Sequence, residues 1–105
     1  MGMEMILVYT TFPDMETARR IVGELVKKRI IACANLREHD ALYIENGDVV
    51  EREEIGALIK TEVGKWKELK EEIRRMHPYK TPLLMRIDVD RVNHEYIEWM
   101  EKVLG

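Results

Sequence analysis

The chain has 105 residues, 46% apolar and 35% charged, and its 17 Lys and Arg against 20 Asp and Glu leave a formal net charge of -3. That balance excludes disorder, asks for a densely ionic surface around one core, and excludes any general attraction for nucleic-acid phosphates or anionic lipid. The single Cys excludes a disulfide framework and a multi-thiol zinc site, which fits a reducing, cytoplasmic setting.

In chain order, Met5 to Tyr9 is continuously apolar, as a short strand covered on both faces would be. Asp14 then caps a helix in which Ala18, Ile21, Val22, Leu25 and Val26 follow helical spacing, with Lys27, Lys28 and Arg29 at its negative end. A second strand runs from Ile30 through Leu36, meets a polar interruption at Arg37 to Asp40, and resumes from Ala41 to Glu45. Asn46-Gly47 is a strong hairpin signal, because both central residues of a type I′ turn need positive φ. The return strand is Val49 to Thr61, and a helix from Gly64 to Met76 follows, stopped by Pro78. Beyond Pro82 the pattern alternates, with Leu83, Met85, Ile87 and Val89 on one face and Leu84, Arg86, Asp88 and Asp90 on a wet one. Asn93 caps a last helix whose apolar face is Tyr96, Ile97, Met100, Val103 and Leu104. The order β-α-β-β-α-β plus a C-terminal helix is an α+β, ferredoxin-like (split βαβ) arrangement in one domain, residues 1–105, with a long central hairpin.

Strand length carries a further expectation. Sixteen residues from 30 to 45 would extend roughly 50 Å, whereas a compact domain of this size has a diameter of roughly 33 Å. The hairpin should therefore project, carrying Leu42, Tyr43, Ile44, Val49 and Val50 into solvent unless copies of the chain cover it. The alternative is two shorter strands broken by a loop at Arg37 to Asp40 within a monomer.

Fold alone decides no chemistry. The third strand carries Glu51, Arg52, Glu53 and Glu54 where an RNA-binding sheet would carry basic and aromatic residues. The first loop, Thr10-Thr11-Phe12-Pro13-Asp14, has neither the paired thiols of a metallochaperone nor the Arg of a phosphate cradle. There is no Ser, and Cys33 has no base beside it in sequence, so no catalytic set forms and the chain does not read as an enzyme. His94 and Glu98 fit an exposed helical pair, and His39 a solvated bend. His77 stands at a helix end, where a dipole-capping role and a ligand-facing role compete equally. Cys33 fits a small packed strand residue or a soft metal ligand, and Lys60 a solvated cation or an anion contact.

The segments Val8-Tyr9-Thr10-Thr11-Phe12-Pro13-Asp14, Ile31-Ala32-Cys33-Ala34-Asn35-Leu36, Ile59-Lys60-Thr61 and His77-Pro78-Tyr79-Lys80-Thr81-Pro82 resemble the CutA divalent-cation-tolerance family, in order and spacing. The resemblance implies a cytoplasmic ferredoxin-like homotrimer linked to tolerance of copper and other divalent ions, similar in architecture to the PII signalling trimers. In some members a copper site uses a first-strand Cys and two His ending the second helix; the matching positions here are Thr10, Met76 and His77. On that basis His77, Met76 and Cys33 are candidate ligands for copper or another divalent ion, no cofactor is required, and neither nucleic acid nor membrane is a partner. A cleft between subunits lined by Lys60, His77 and Tyr79 would instead serve a PII-like role, taking a small anionic metabolite or a partner protein. The absence of Ser and Gln beside abundant Glu, Lys and Arg resembles heat-adapted proteins, so a thermostable assembly is expected.

Overall fold

In the computed structural model, which describes residues 3–105, the chain runs β1 (Met5–Phe12), α1 (Met15–Lys27), β2 (Cys33–Glu45), β3 (Asp48–Glu62), a 3-10 turn (Val63–Lys65), α2 (Trp66–Met76), β4 (Met85–Asp88) and α3 (His94–Leu104). The sheet order is β2-β3-β1-β4 with every neighbouring pair antiparallel, the ferredoxin-like α+β arrangement expected, extended by α3.

Strand periodicity builds the core. Ile6, Val8, Thr10 and Phe12 of β1 and Ile55, Ala57, Ile59 and Thr61 of β3 are buried on one face of the sheet. Ala18, Ile21 and Leu25 of α1 and Leu69 and Ile73 of α2 close over that face, each large apolar side chain contributing about 1.5–3 kcal/mol by leaving water. The opposite face is covered only at one end, where Met100 and Leu104 of α3 pack with Met5 and Ala32. Asp14 caps α1 as expected, accepting from the Thr17 N–H at 2.7 Å, a bond that holds its carboxyl below the usual range.

The second strand starts three residues later than the apolar run suggests. Arg29 takes φ 60 at the end of α1, and the Ile30 N–H reaches back to the Leu25 carbonyl at 3.0 Å. This Schellman-type exit spends Ile30 and Ile31 as buried plugs before pairing begins at Cys33. Arg29 in place of the usual glycine is accompanied by an Nη1 bond to the Val103 carbonyl, 2.7 Å away on α3.

No loop breaks β2 at Arg37 to Asp40. The ladder is continuous from Cys33↔Lys60 to Glu45↔Asp48, and the polar residues lie on a strand instead of a bend because β3 supplies a partner for each of them. Since β1 pairs β3 only between Ile55 and Glu62, residues 39–45 and 48–54 leave the sheet as a two-stranded ribbon. Asn46 and Gly47 both have positive φ, 51 and 84, as a type I′ turn requires. The molecule measures 50 × 25 × 21 Å with a Cα radius of gyration of 14.9 Å, against about 13 Å for a compact chain of this length. Leu42, Ile44 and Val49 stand 65–69% exposed on the ribbon.

The last strand corrects a sequence expectation. Only Met85–Asp88 pair, with β1 between Ile6 and Tyr9; Leu84 packs on the two-helix core, whereas Leu83, Met85 and Ile87 look away from it and remain 40–45% exposed. The apolar side of the alternation is therefore the open face of the sheet, and β4 is an edge with apolar residues in solvent. The Asn93 side chain makes no capping bond to α3.

Candidate functional site

The candidate residues separate into three groups along the sheet. The first surrounds His77. Its N–H still bonds the Ile73 carbonyl at 2.7 Å, but Pro78 pushes its backbone to an extended conformation, φ -71 and ψ 134, which ends α2. The ring swings over the end of β1, stacking on Phe12 with centroids 4.9 Å apart and leaning on Tyr79 at 4.8 Å. Nε2 lies 2.7 Å from the Thr11 carbonyl and Nδ1 lies 3.0 Å from the Tyr79 N–H. A carbonyl only accepts and an amide N–H only donates, so Nε2 carries the proton and Nδ1 the accepting lone pair. Both nitrogens are committed, and the ring works as a buried strut between the α2 exit and β1.

Met76 packs against the two-helix core. Thr10 is fully buried, and its Oγ1 has no hydrogen-bond partner among the described residues. The three positions expected from the resemblance to form a copper site, Thr10, Met76 and His77, thus hold a hydroxyl, a packed thioether and an imidazole with both nitrogens engaged. Among the described residues no group of three or more His, Cys, Asp or Glu side chains is placed to hold a metal ion, so one chain does not close a coordination shell. Burying an unpaired hydroxyl costs about 1–3 kcal/mol. Thr10→Val should therefore raise the unfolding free energy by about 1 kcal/mol in urea titration at fixed protein concentration.

The second group lies further down the sheet. Cys33 and Lys60 face each other across β2 and β3, and Tyr96 reaches them from α3. Its hydroxyl is 3.4 Å from the Cys33 Sγ, and the Lys60 Nζ stands 5.8 Å from its ring centroid. Burial, and then the Cys33 bond, push the Tyr96 phenol up to about 12. Cys33 is half-buried. Lys60 pairs with Leu7 of β1, while the His77 group anchors at Thr11, about 13 Å away along the strand. One chain therefore does not bring Lys60 and Tyr79 into a common cleft. Burial, followed by the Glu54 charge, raises the Tyr79 phenol above its ordinary value.

The third group was not visible in sequence. His39 is no bend residue: it sits in β2 with Nε2 2.7 Å from Glu54 Oε1, its register partner on β3. Read as one strand, β2 puts Asn35, Arg37 and His39 on the same face, and that continuity was the missing signal. His94 does pair with Glu98 in the exposed position expected, at 2.6 Å.

Sheet order and projecting ribbon define a ferredoxin-like α+β protein. The description "CutA1 divalent ion tolerance protein" matches residues 6–103. The divalent-cation tolerance protein CutA of Thermococcus kodakarensis is 56% identical over 102 residues, covering 97% of this chain and 98% of the relative. The crystal structure of Pyrococcus horikoshii CutA in 3 M guanidine hydrochloride superposes with a TM-score of 0.91 at 52% identity, covering 93% of this chain and 97% of that one. A structure named as the periplasmic divalent cation tolerance protein CutA of Archaeoglobus fulgidus gives 0.90 at 28% identity, covering 96% and 99%. The chain belongs to the CutA1 divalent ion tolerance protein family. The names in that family describe tolerance of divalent cations and not a reaction. Among the described residues no helix is long and apolar enough to cross a membrane.

Proposed function

We propose that the protein is a cytoplasmic homotrimer that supports metal tolerance by binding copper or other divalent ions, without catalysis, through ligands completed between subunits. The observation that carries this reading is the ribbon: residues 39–45 and 48–54 pair only with each other and expose Leu42, Ile44 and Val49. Such an edge calls for cover by another copy. An ion shared between copies also accounts for a chain that holds soft donors at Cys33 and Met76 yet closes no shell alone. His77 joins such a shell only by releasing the Tyr79 N–H. The periplasmic name borne by the Archaeoglobus fulgidus protein belongs to that protein; here the half-buried free thiol of Cys33 favours a reducing compartment.

Calorimetric titration with Cu(I) and Cu(II) tests the ligand assignment. Cys33→Ala and Met76→Leu should each weaken Cu(I) binding at least tenfold, because thiolate and thioether are the soft donors, and isotherms equal to that of the unaltered chain would remove both residues. A PII-like role is the second reading. Among the described residues Lys60 has no carboxylate partner, and Tyr79 is 39% exposed, so a cleft between subunits would place a cation and a phenol beside a small anion. A thermal shift with organic acids or nucleotides in metal-free buffer would favour it.

A further inference from the structure

The ribbon tip carries a pair of residues that can react with each other. The chain has no Gln and only three Asn, at 35, 46 and 93, followed by Leu36, Gly47 and His94. A sequence so sparing of heat-labile amides nevertheless keeps Asn46-Gly47, where both residues take positive φ, 51 and 84. A type I′ turn favours Asn, Asp and Gly at these places, so turn geometry retains an amide that composition elsewhere avoids.

The reaction is an attack of the Gly47 backbone nitrogen on the Asn46 side-chain amide. The nitrogen bonds to Cγ, the Cγ–Nδ2 bond breaks, and ammonia leaves with the proton that the nitrogen gives up. Water then opens the resulting imide ring at either carbonyl, so the balance is one water gained and one ammonia lost, with nothing oxidised or reduced. Gly47 has no Cβ to obstruct the attack, and a Cβ placed there would have no neighbour within 4 Å among the described residues. The closed turn is itself unreactive. Ring closure needs the Gly47 nitrogen eclipsed with the Asn46 Cβ about the Cα–C bond, whereas a type I′ turn points it the other way. The tip must open first, and the rung that closes it, Glu45↔Asp48, is the last of the ladder, braced by an exposed Arg52–Glu45 pair at 3.1 Å. Such ends open at little cost. Asn35, by contrast, is fixed within the ladder opposite Leu58, and both Asn35 and Asn93 precede a residue whose side chain crowds the attack.

We propose that Asn46-Gly47 is a site of spontaneous deamidation, gated by opening of the ribbon tip, whose main product is isoaspartate. Water prefers the ring carbonyl beside the electron-withdrawing α-nitrogen, and opening there leaves the main chain running through the former side chain. The turn is then longer by one main-chain atom, so it no longer fits the Glu45↔Asp48 register. Either product adds a negative charge between Glu45 and Asp48. The step is internal to one chain and consumes only water, so it requires no vacant site on the sheet and is independent of the metal and trimer readings.

The test incubates the full-length protein, in whatever assembly it adopts, at neutral and mildly alkaline pH, beside a short unstructured Asn-Gly peptide in the same buffers. Peptide mapping by mass spectrometry and enzymatic methylation of isoaspartate are the readouts. The fragment containing Asn46 should gain the mass of an amide-to-acid exchange, with isoaspartate in excess, while Asn35 and Asn93 remain amides. Conversion should be faster at the higher pH, because the attacking nitrogen must lose its proton, and several-fold slower than in the peptide, because the turn must open. Asn46→Gly keeps a turn-compatible pair and should abolish the signal. No detectable conversion of Asn46 by the time the peptide has converted completely overturns the proposal. So does conversion led by Asn35 or Asn93, an excess of aspartate, or a rate equal to the peptide's. Because the map is read on the unaltered chain, the result stands even if the variant folds poorly.

Discussion

Replacing His77 with alanine should lower the unfolding free energy by about 2–4 kcal/mol in metal-free buffer. The substitution strands two backbone groups, the Thr11 carbonyl and the Tyr79 N–H, each at a cost of about 1 kcal/mol or more. It also removes a ring stacked at 4.9 Å on Phe12, which is fully buried, leaving a cavity that the rigid exit at Pro78 cannot collapse. His77→Gln retains an amide nitrogen near the Nε2 position and should recover the bond to Thr11. His77→Asn places its oxygen near Nδ1 and should recover the bond to Tyr79. Each should restore about half of the loss. The measurement is urea unfolding at one fixed protein concentration, since association feeds into apparent stability. Were His77 mainly a metal ligand, the alanine protein would unfold like the unaltered chain without metal and differ from it only when metal is added. Equal midpoints without metal would sink the strut.

The fold was legible in sequence wherever one period governed a whole segment. Asn46-Gly47 gives the turn as read, and Ala18, Ile21, Val22 and Leu25 give α1 its buried stripe, although Val26, read into the same stripe, stands exposed at its edge. Reading failed where local chemistry and tertiary pairing disagreed. Arg37 to Asp40 is as polar as a loop, yet β3 provides a register partner for every residue, and backbone pairing outweighs side-chain polarity at an exposed position. Leu83, Met85 and Ile87 alternate like a core face, yet the two helices lie on the other side of the sheet. Periodicity shows that a strand has two faces without saying which one the helices cover.

The candidate site was less legible for a related reason. His77 could be picked out by its place beside Pro78, but whether its nitrogens are free depends on the Thr11 carbonyl, 66 positions away in the chain. Lys60 and Tyr79 lie on either side of α2 in the chain and belong to different ends of the sheet. Arg37, Tyr9 and Gly56 converge only once β2, β3 and β1 lie side by side, and no spacing rule within one segment could join them.

Exchanging the apolar ribbon pair Ile44 and Val49 for Ile44→Lys with Val49→Glu should convert the proposed trimer into single chains. These two residues are direct cross-strand partners, 65% and 69% exposed in the isolated chain. Within one chain the exchange is nearly neutral, because it removes no buried contact and replaces an apolar pair with opposite charges that suit facing positions on antiparallel strands. At an interface it is costly, since three symmetry-related copies would each bury a charged pair where apolar side chains had met. The difference between those two costs is what the experiment reads. Light scattering at micromolar concentration should return about three times the 12.4 kDa chain mass for the unaltered protein and one chain mass for the variant. Far-ultraviolet dichroism should keep its shape, because the ladder from Cys33 to Glu45 does not depend on these side chains. A variant of unchanged mass would mean that the ribbon tip lies outside the interface, and a single-chain mass for the unaltered protein would remove the shared ion shell along with the trimer.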